Sequence, residues 1–239
     1  MVSPVLEADS ITIQFGGVTA LNDVSLRILP QQKLAIIGPN GAGKTTLFNV
    51  LTGAERVQTG CVLLHGEELK NLSLDSAARL GIVRTFQNVR LLPELTVFEN
   101  LKVAGLARGQ RITTTEVLRH LDRLDMRDRA NMLARELPYG LQKCMELLRA
   151  MILRPEVLLV DEPVAGLNAT ESATVMEALR SFVTESGISL VIIEHDMDSV
   201  RSIADYAVVL DYGRLIAQGT PAEVLSDPAV IESYLGSAQ

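Results

Sequence analysis

Nine consecutive residues constrain this chain more than any others: Gly38-Pro39-Asn40-Gly41-Ala42-Gly43-Lys44-Thr45-Thr46. They follow an apolar run, 33–37, and open a helix-forming stretch, 44–51, that Gly53 stops. The glycines let backbone N–H groups turn inward around a polyphosphate without Cβ clashes. The helix behind them aims the positive end of its dipole at the same place. Lys44 is spaced to reach the β- and γ-phosphates of a nucleotide, and the Thr45 hydroxyl to hold Mg2+. A strand–loop–helix unit built around ATP is therefore expected.

The rest of the chain supplies the surroundings for that unit. An alternating strand is predicted over 5–15 and another over 24–29, after a turn at Asn22-Asp23. Residues 61–64 read as a strand followed by the turn His65-Gly66-Glu67. From Thr96 to Leu153 the pattern is helical, without a strand candidate. Apolar strands at 157–160 and 188–193 then alternate with helices over 170–185 and 199–203. Strands at 207–210 and 214–218 pair across Tyr212-Gly213, and a helix over 232–235 comes last. Apolar strands interleaved with helices predict an α/β fold with a mostly parallel sheet and a helical insertion in its middle third.

Composition narrows the function classes. A net charge of −7 without any Lys/Arg block argues against nucleic acid or anionic lipid as the main partner. Two cysteines, Cys61 and Cys144, make no disulfide framework and no metal cluster, which fits a reducing cytoplasm. The apolar runs are strand-length, far below the ~20 residues of a spanning helix, and the N-terminus lacks a signal-peptide core. The chain is expected to be soluble by itself, with any membrane role peripheral.

A second motif completes the first. Val157-Leu158-Leu159-Val160-Asp161-Glu162 is an apolar strand ending in two carboxylates. Asp161 is placed to bind Mg2+ through water, and Glu162 to act as general base on the attacking water.

With both motifs in place, the order of residues from about Leu6 onward resembles the ATP-binding subunits of ABC transporters. That resemblance implies a P-loop NTPase (RecA-like) core with a mostly parallel sheet, an N-terminal antiparallel β subdomain and an inserted α-helical subdomain. It implies a single ATP-binding domain over 1–239: β-rich part and core 1–87, helical subdomain about 88–153, core again 154–239. Phe15 lies where the family stacks an aromatic ring on adenine. Gln87, in Arg84-Thr85-Phe86-Gln87-Asn88, resembles the glutamine that reaches Mg2+ and the water, on a loop facing the membrane subunit. His195, in Ile193-Glu194-His195-Asp196-Met197, resembles the switch histidine that contacts the γ-phosphate.

Leu137-Pro138-Tyr139-Gly140-Leu141-Gln142-Lys143 occupies the place of the family signature Leu-Ser-Gly-Gly-Gln. The helix behind it has an apolar face of Leu141, Cys144, Met145, Leu148, Met151 and Ile152, with Lys143, Glu146 and Arg149 away from it. The resemblance implies that Gly140 and this helix N-terminus contact ATP bound by the opposite subunit. Pro138 removes the signature's hydroxyl and a backbone donor, and Leu141 replaces its glutamine. Asn168 stands where the family's cross-dimer loop usually ends in aspartate.

The stretches 84–101 and 193–197 are most similar to branched-chain amino acid importers, with urea or amide importers of the same subgroup as the alternative. Implied partners are a second ATP-binding subunit, with a heterodimer favoured over a homodimer, two membrane permease subunits and, indirectly, a substrate-binding protein outside the membrane. The expected location is the cytoplasmic face of the inner membrane, with no C-terminal regulatory extension. Readings from other classes are a soluble ABC-type ATPase, a non-hydrolysing nucleotide-binding module and a small-molecule P-loop kinase. The last leaves Gln87, the Pro138 to Lys143 segment and His195 without an explanation.

Overall fold

A computed structural model describes residues 2–107 and 112–236. Strand β1 (Leu6–Phe15) turns into β2 (Val18–Ile28) at Gly16-Gly17, whose φ values of 50° and 90° suit a two-residue hairpin loop. The second strand thus begins well before residue 24, and the expected turn at Asn22-Asp23 is absent. Asp23 instead sits in a strand irregularity at φ 54° and donates its N–H to Thr12 Oγ1 at 3.1 Å. Asn and Asp tolerate the left-handed region in bulges as well as turns, so the dipeptide alone does not choose between them.

The chain continues through β3 (Lys33–Ile37), α1 (Lys44–Leu51), β4 (Thr59–Leu64), β5 (Glu67–Glu68), α2 (Leu74–Arg79) and β6 (Ile82–Arg84). Helices α3 (Val97–Ala107), α4 (Thr114–Asp122) and α5 (Tyr139–Ile152) follow. Then come β7 (Val157–Asp161), α6 (Ala169–Ser186), β8 (Ser189–Ile193), α7 (Met197–Ile203), β9 (Tyr206–Asp211), β10 (Arg214–Gly219), α8 (Pro221–Leu225) and α9 (Pro228–Gly236). Sequence pattern missed α2 and β6. The first is a short polar helix announced only by its Ser73 and Ser76 capping box, and the second is three residues long, too short for periodicity to register.

Two sheets result. One is antiparallel, in the order β2-β1-β4-β5; the other runs β10-β9-β3-β8-β7-β6, parallel except for the β9–β10 pair. The strands β7 and β8 are buried along their whole length, as a parallel sheet covered on both faces requires. Alternate residues divide between two cores, because strand side chains repeat every second position. Ile37, Leu158, Val160, Leu190 and Ile192 face the helices α3 to α6, whereas Ile36, Leu159, Val191 and Ile193 face α1 and the antiparallel sheet. Truncating a fully buried member such as Leu158 to Ala is expected to cost roughly 2–5 kcal/mol.

This layout positions the site. Strands β3, β6, β7 and β8 run parallel, so the loops that leave their C-terminal ends emerge along one edge. Those four loops carry the phosphate loop, Gln87, Glu162 and His195.

Candidate functional site

The phosphate loop has the geometry its glycines promise. Gly38 has φ 144°, and a Cβ there would lie 2.0 Å from the Leu210 carbonyl oxygen. Gly43 has φ 102°, and its Cβ would lie 2.5 Å from the carbonyl oxygen of Ala20 on β2. Any other residue would push the loop off strands β2 and β9. Lys44 is buried, and its Nζ donates to the carbonyls of Gly38 at 2.7 Å and Pro39 at 2.9 Å. Burial lowers its pKa, while the carboxylates of Glu162 and Asp161 oppose that shift. Asn40, Gly41 and Thr45 are exposed, Pro39 and Thr46 half-buried, and Ala42 buried.

Helix capping separates two helices from the rest. Ser73, Thr96, Thr113, Asn168, Asp196, Thr220 and Asp227 accept hydrogen bonds from first-turn N–H groups of α2, α3, α4, α6, α7, α8 and α9. Helices α1 and α5 begin at Gly43 and Pro138 with no side-chain cap and no acid in the first turn. Their free N–H groups and dipole ends suit an anion. Both are the helices read in the sequence as facing phosphate. The loop and α1 therefore fit a nucleotide polyphosphate.

At the end of β7, Glu162 takes φ 46°, unusual for a side-chain-bearing residue, and donates its N–H to Ile193 O at 3.0 Å. This bend brings its carboxylate between two partners. Gln87 Nε2 donates to Glu162 Oε2 at 2.8 Å, and His195 Nε2 lies 2.6 Å from Glu162 Oε1. Three residues picked from separate parts of the sequence thus meet on one carboxylate.

Asp161 is 5% exposed and does not stand free. Arg84 Nη2 lies 2.7 Å from its Oδ2, and Arg84 Nη1 lies 2.5 Å from Asn49 Oδ1 on α1. The guanidinium also sits 5.6 Å from the Phe48 ring and 5.2 Å from the Phe86 ring. Sequence reasoning missed Arg84. Its signal is a cation ending the apolar triplet Ile82-Val83-Arg84, one residue before the Gln87 loop proper. Among the described residues no group of three His, Cys, Asp or Glu side chains could hold a metal. Thr45 and Asp161 offer the sparse oxygen donors that suit a Mg2+ brought in with phosphates.

Glu194 is a second residue that the sequence reading passed over. It is 3% exposed and accepts the His195 N–H at 3.1 Å on Oε2, while burial pushes its carboxyl up to about 7. A carboxylate directly before a strand-end histidine is the only trace of this in the sequence.

Phe15 closes β1 and is 46% exposed. Its hairpin lies beside the phosphate loop, since Asn22 N donates to Gly213 O and Gly213 N to Ala42 O. Gly140 does not join the cluster on Glu162. It packs on α6, where an added Cβ would lie 3.1 Å from Glu171 Cβ. Asn168 caps α6 in a reciprocal box with Glu171. On α5, the expected apolar face is buried apart from half-buried Leu141, but Lys143 at 3% and Glu146 at 8% exposure are buried too. The residues that helical periodicity assigns to solvent are covered by the segment carrying Gln87.

The family model described as ABC transporter matches residues 21–165, and one described as branched-chain amino acid ATP-binding cassette transporter matches 214–239. The chain is 40% identical to the high-affinity branched-chain amino acid transport ATP-binding protein BraF of Pseudomonas aeruginosa, over all of both chains. It is 38% identical to LivG of Escherichia coli, described in the same words, again over all of both. Among solved structures, the ADP conformation of MJ1267, an ATP-binding cassette of an ABC transporter, superimposes with a TM-score of 0.88 at 32% identity, covering 98% of this chain and 99% of that one. A nucleotide-free cassette gives a TM-score of 0.85 at 31% identity, covering 97% and 98%. On likeness that runs from end to end in sequence and in fold, this chain belongs to the ABC transporter family and is one of its ATP-binding, ATP-hydrolysing subunits.

Proposed function

We propose that the chain powers a branched-chain amino acid importer, with Glu162 as the general base of hydrolysis. The observation that carries the catalytic reading is the convergence of Gln87 and His195 on the two oxygens of Glu162. An anionic carboxylate at the C-terminal edge of the sheet can accept a proton from water. His195 and Gln87 fix its orientation, and in this reading His195 also contacts the γ-phosphate. Lys44 leaves the carbonyls of Gly38 and Pro39 to meet the β- and γ-phosphates, held by the loop's N–H groups and the open start of α1. Phe15 stacks on the adenine. Thr45, Asp161 and Gln87 would hold Mg2+, which when bound neutralises charge on the phosphates. In the chain itself, 88–153 is read as the helical insertion between core segments 1–87 and 154–239.

Subunits of this family dimerise and work with membrane permeases, and among the described residues no helix is long and apolar enough to cross a membrane. The chain accordingly sits at the cytoplasmic face of its permeases. The open start of α5, at Gly140, then faces ATP bound by the other ATP-binding subunit. A terminal phosphate contacted from both sides favours the closed pair, and its loss on hydrolysis removes that preference. Pro138 and Leu141 weaken the contact this chain lends, while Lys44, Glu162 and His195 keep its own site complete. That asymmetry favours a heterodimer with a different ATP-binding subunit.

The substrate class is supported by the 214–239 match and by the BraF and LivG likeness. Proteoliposomes holding the permeases, both ATP-binding subunits and the substrate-binding protein test it. Uptake of leucine, isoleucine or valine driven by enclosed ATP is the expected result. Uptake of urea or short amides with none of these three would overturn the assignment.

A further inference from the structure

Three charged side chains of α5 stand outside the cluster on Glu162. Lys143, Glu146 and Arg149 recur at every third position, so they lie along one side of the helix. All three end on the same short piece of chain. Lys143 Nζ donates to the Gln87 carbonyl, Arg90 N donates to Glu146 Oε1 at 2.8 Å, and Arg149 Nη1 donates to the Arg90 carbonyl. Residues 85–92 are in neither helix nor strand, so these side chains stand where a ladder of backbone bonds would otherwise hold the chain.

Burying such charges is costly unless each is paired or hydrogen-bonded. Here the compensation is mutual, since Lys143 and Glu146 oppose each other's burial-driven shifts. The Arg90 side chain contributes from the loop side, its guanidinium 3.5 Å from the Phe86 ring centre. At the near end of the clamped piece, the Gln87 side chain reaches Glu162. A backbone fixed at residues 87 and 90 leaves that amide little room to wander.

We propose that Lys143 and Glu146 are positioning residues for hydrolysis, which lock the Gln87 loop onto α5 so that Gln87 stays on Glu162. Since α5 starts at Tyr139 and holds the Gln87 loop through Lys143 and Glu146, a shift of this helix moves Gln87 with it. A nucleotide on the far side of the pair can thereby influence the base in this chain's own site. The inference rests on the reading of Glu162 as base and Gln87 as its partner.

The test is a double-mutant cycle on the ATPase of the assembled transporter, using Gln87→Ala, Lys143→Met and both together. Lys143→Met is expected to lower kcat roughly 10- to 100-fold, the range a small misplacement of a catalytic group produces, with little change in KM for ATP. Lys143→Arg should recover most of the rate. The double variant should be no slower than Gln87→Ala alone, because both changes remove one function. A wild-type kcat for Lys143→Met, or losses that multiply in the double variant, would overturn the proposal. Should Lys143→Met fail to fold, Lys143→Gln carries the same comparison. If Gln87→Ala itself retains the full rate, the reading of the site beneath the proposal is wrong. A slow Gln87→Ala beside a fast Lys143→Met contradicts the positioning role alone.

Discussion

Arg84 and Asp161 form an ion pair in which both side chains are nearly inaccessible, at 6% and 7% exposure. Removing one partner from such a pair leaves the other charge buried and uncompensated, at a cost of about 3–5 kcal/mol. Arg84→Met is therefore expected to lower the Tm of the nucleotide-free protein by about 10 °C. Calorimetry of the variant checks this, and a change below 2 °C would mean that solvent already screens the pair. Glu194 makes a pH prediction of definite sign. Folded, it holds its proton up to about 7, whereas an ordinary glutamate gives it up near 4.5. Between those values the folded chain binds the extra proton, so stability falls as pH rises through the window and levels off above it. The swing is ~3 kcal/mol at most. Urea unfolding at pH 5 and pH 8 should show a smaller loss for Glu194→Gln than for the parent, and equal losses would contradict the assignment. Neither residue was legible in the sequence. A carboxylate on Asp161 was foreseen, but a guanidinium that neutralises it arrives from a strand 77 positions away, and single-chain spacing carries no record of that approach.

At the scale of elements, the helices divide by how they begin. Where Asn168 caps α6, the hydrogen bond from Glu171 N and the reciprocal bond to Glu171 Oε2 both belong to a capping box. Asn168→Ala should cost about 1 kcal/mol in denaturant titration. A loss of that size, without a matching fall in kcat, would assign Asn168 to capping and remove it from the cross-dimer contact. Pro138→Ser supplies α5 with the cap it lacks and should stabilise the chain by up to about 1 kcal/mol, read from the same titration. Elements with strong periodicity or punctuation were foreseeable to within a residue or so. The strand Lys33–Ile37 and the helix Lys44–Leu51 fall where the apolar run and the glycines put them. The exposed-looking side of α5 was not. Periodicity separates apolar from polar, yet it cannot tell a polar side facing water from one facing a loop that lacks hydrogen bonds of its own. Lys143 and Glu146 are of the second kind.

For the whole molecule, the parallel order β3-β8-β7-β6 is what turns four distant motifs into one site. Their sequence positions run from Gly38 to His195, but parallel strands bring every outgoing loop to the same edge. The motifs were readable because each is a short local pattern at a strand end. The meeting of Gln87 and His195 on the Glu162 carboxylate is a property of the sheet and could be inferred only through likeness to a family. The proposed role of this carboxylate, held by Gln87 and His195, is to activate the attacking water. Single-turnover hydrolysis of saturating ATP by the assembled transporter, with Glu162→Gln against the parent, measures it directly. A rate lower by about 10²- to 10⁴-fold, at unchanged ATP affinity, is predicted. Hydrolysis within about 3-fold of the parent would contradict the claim, because an amide cannot accept that proton.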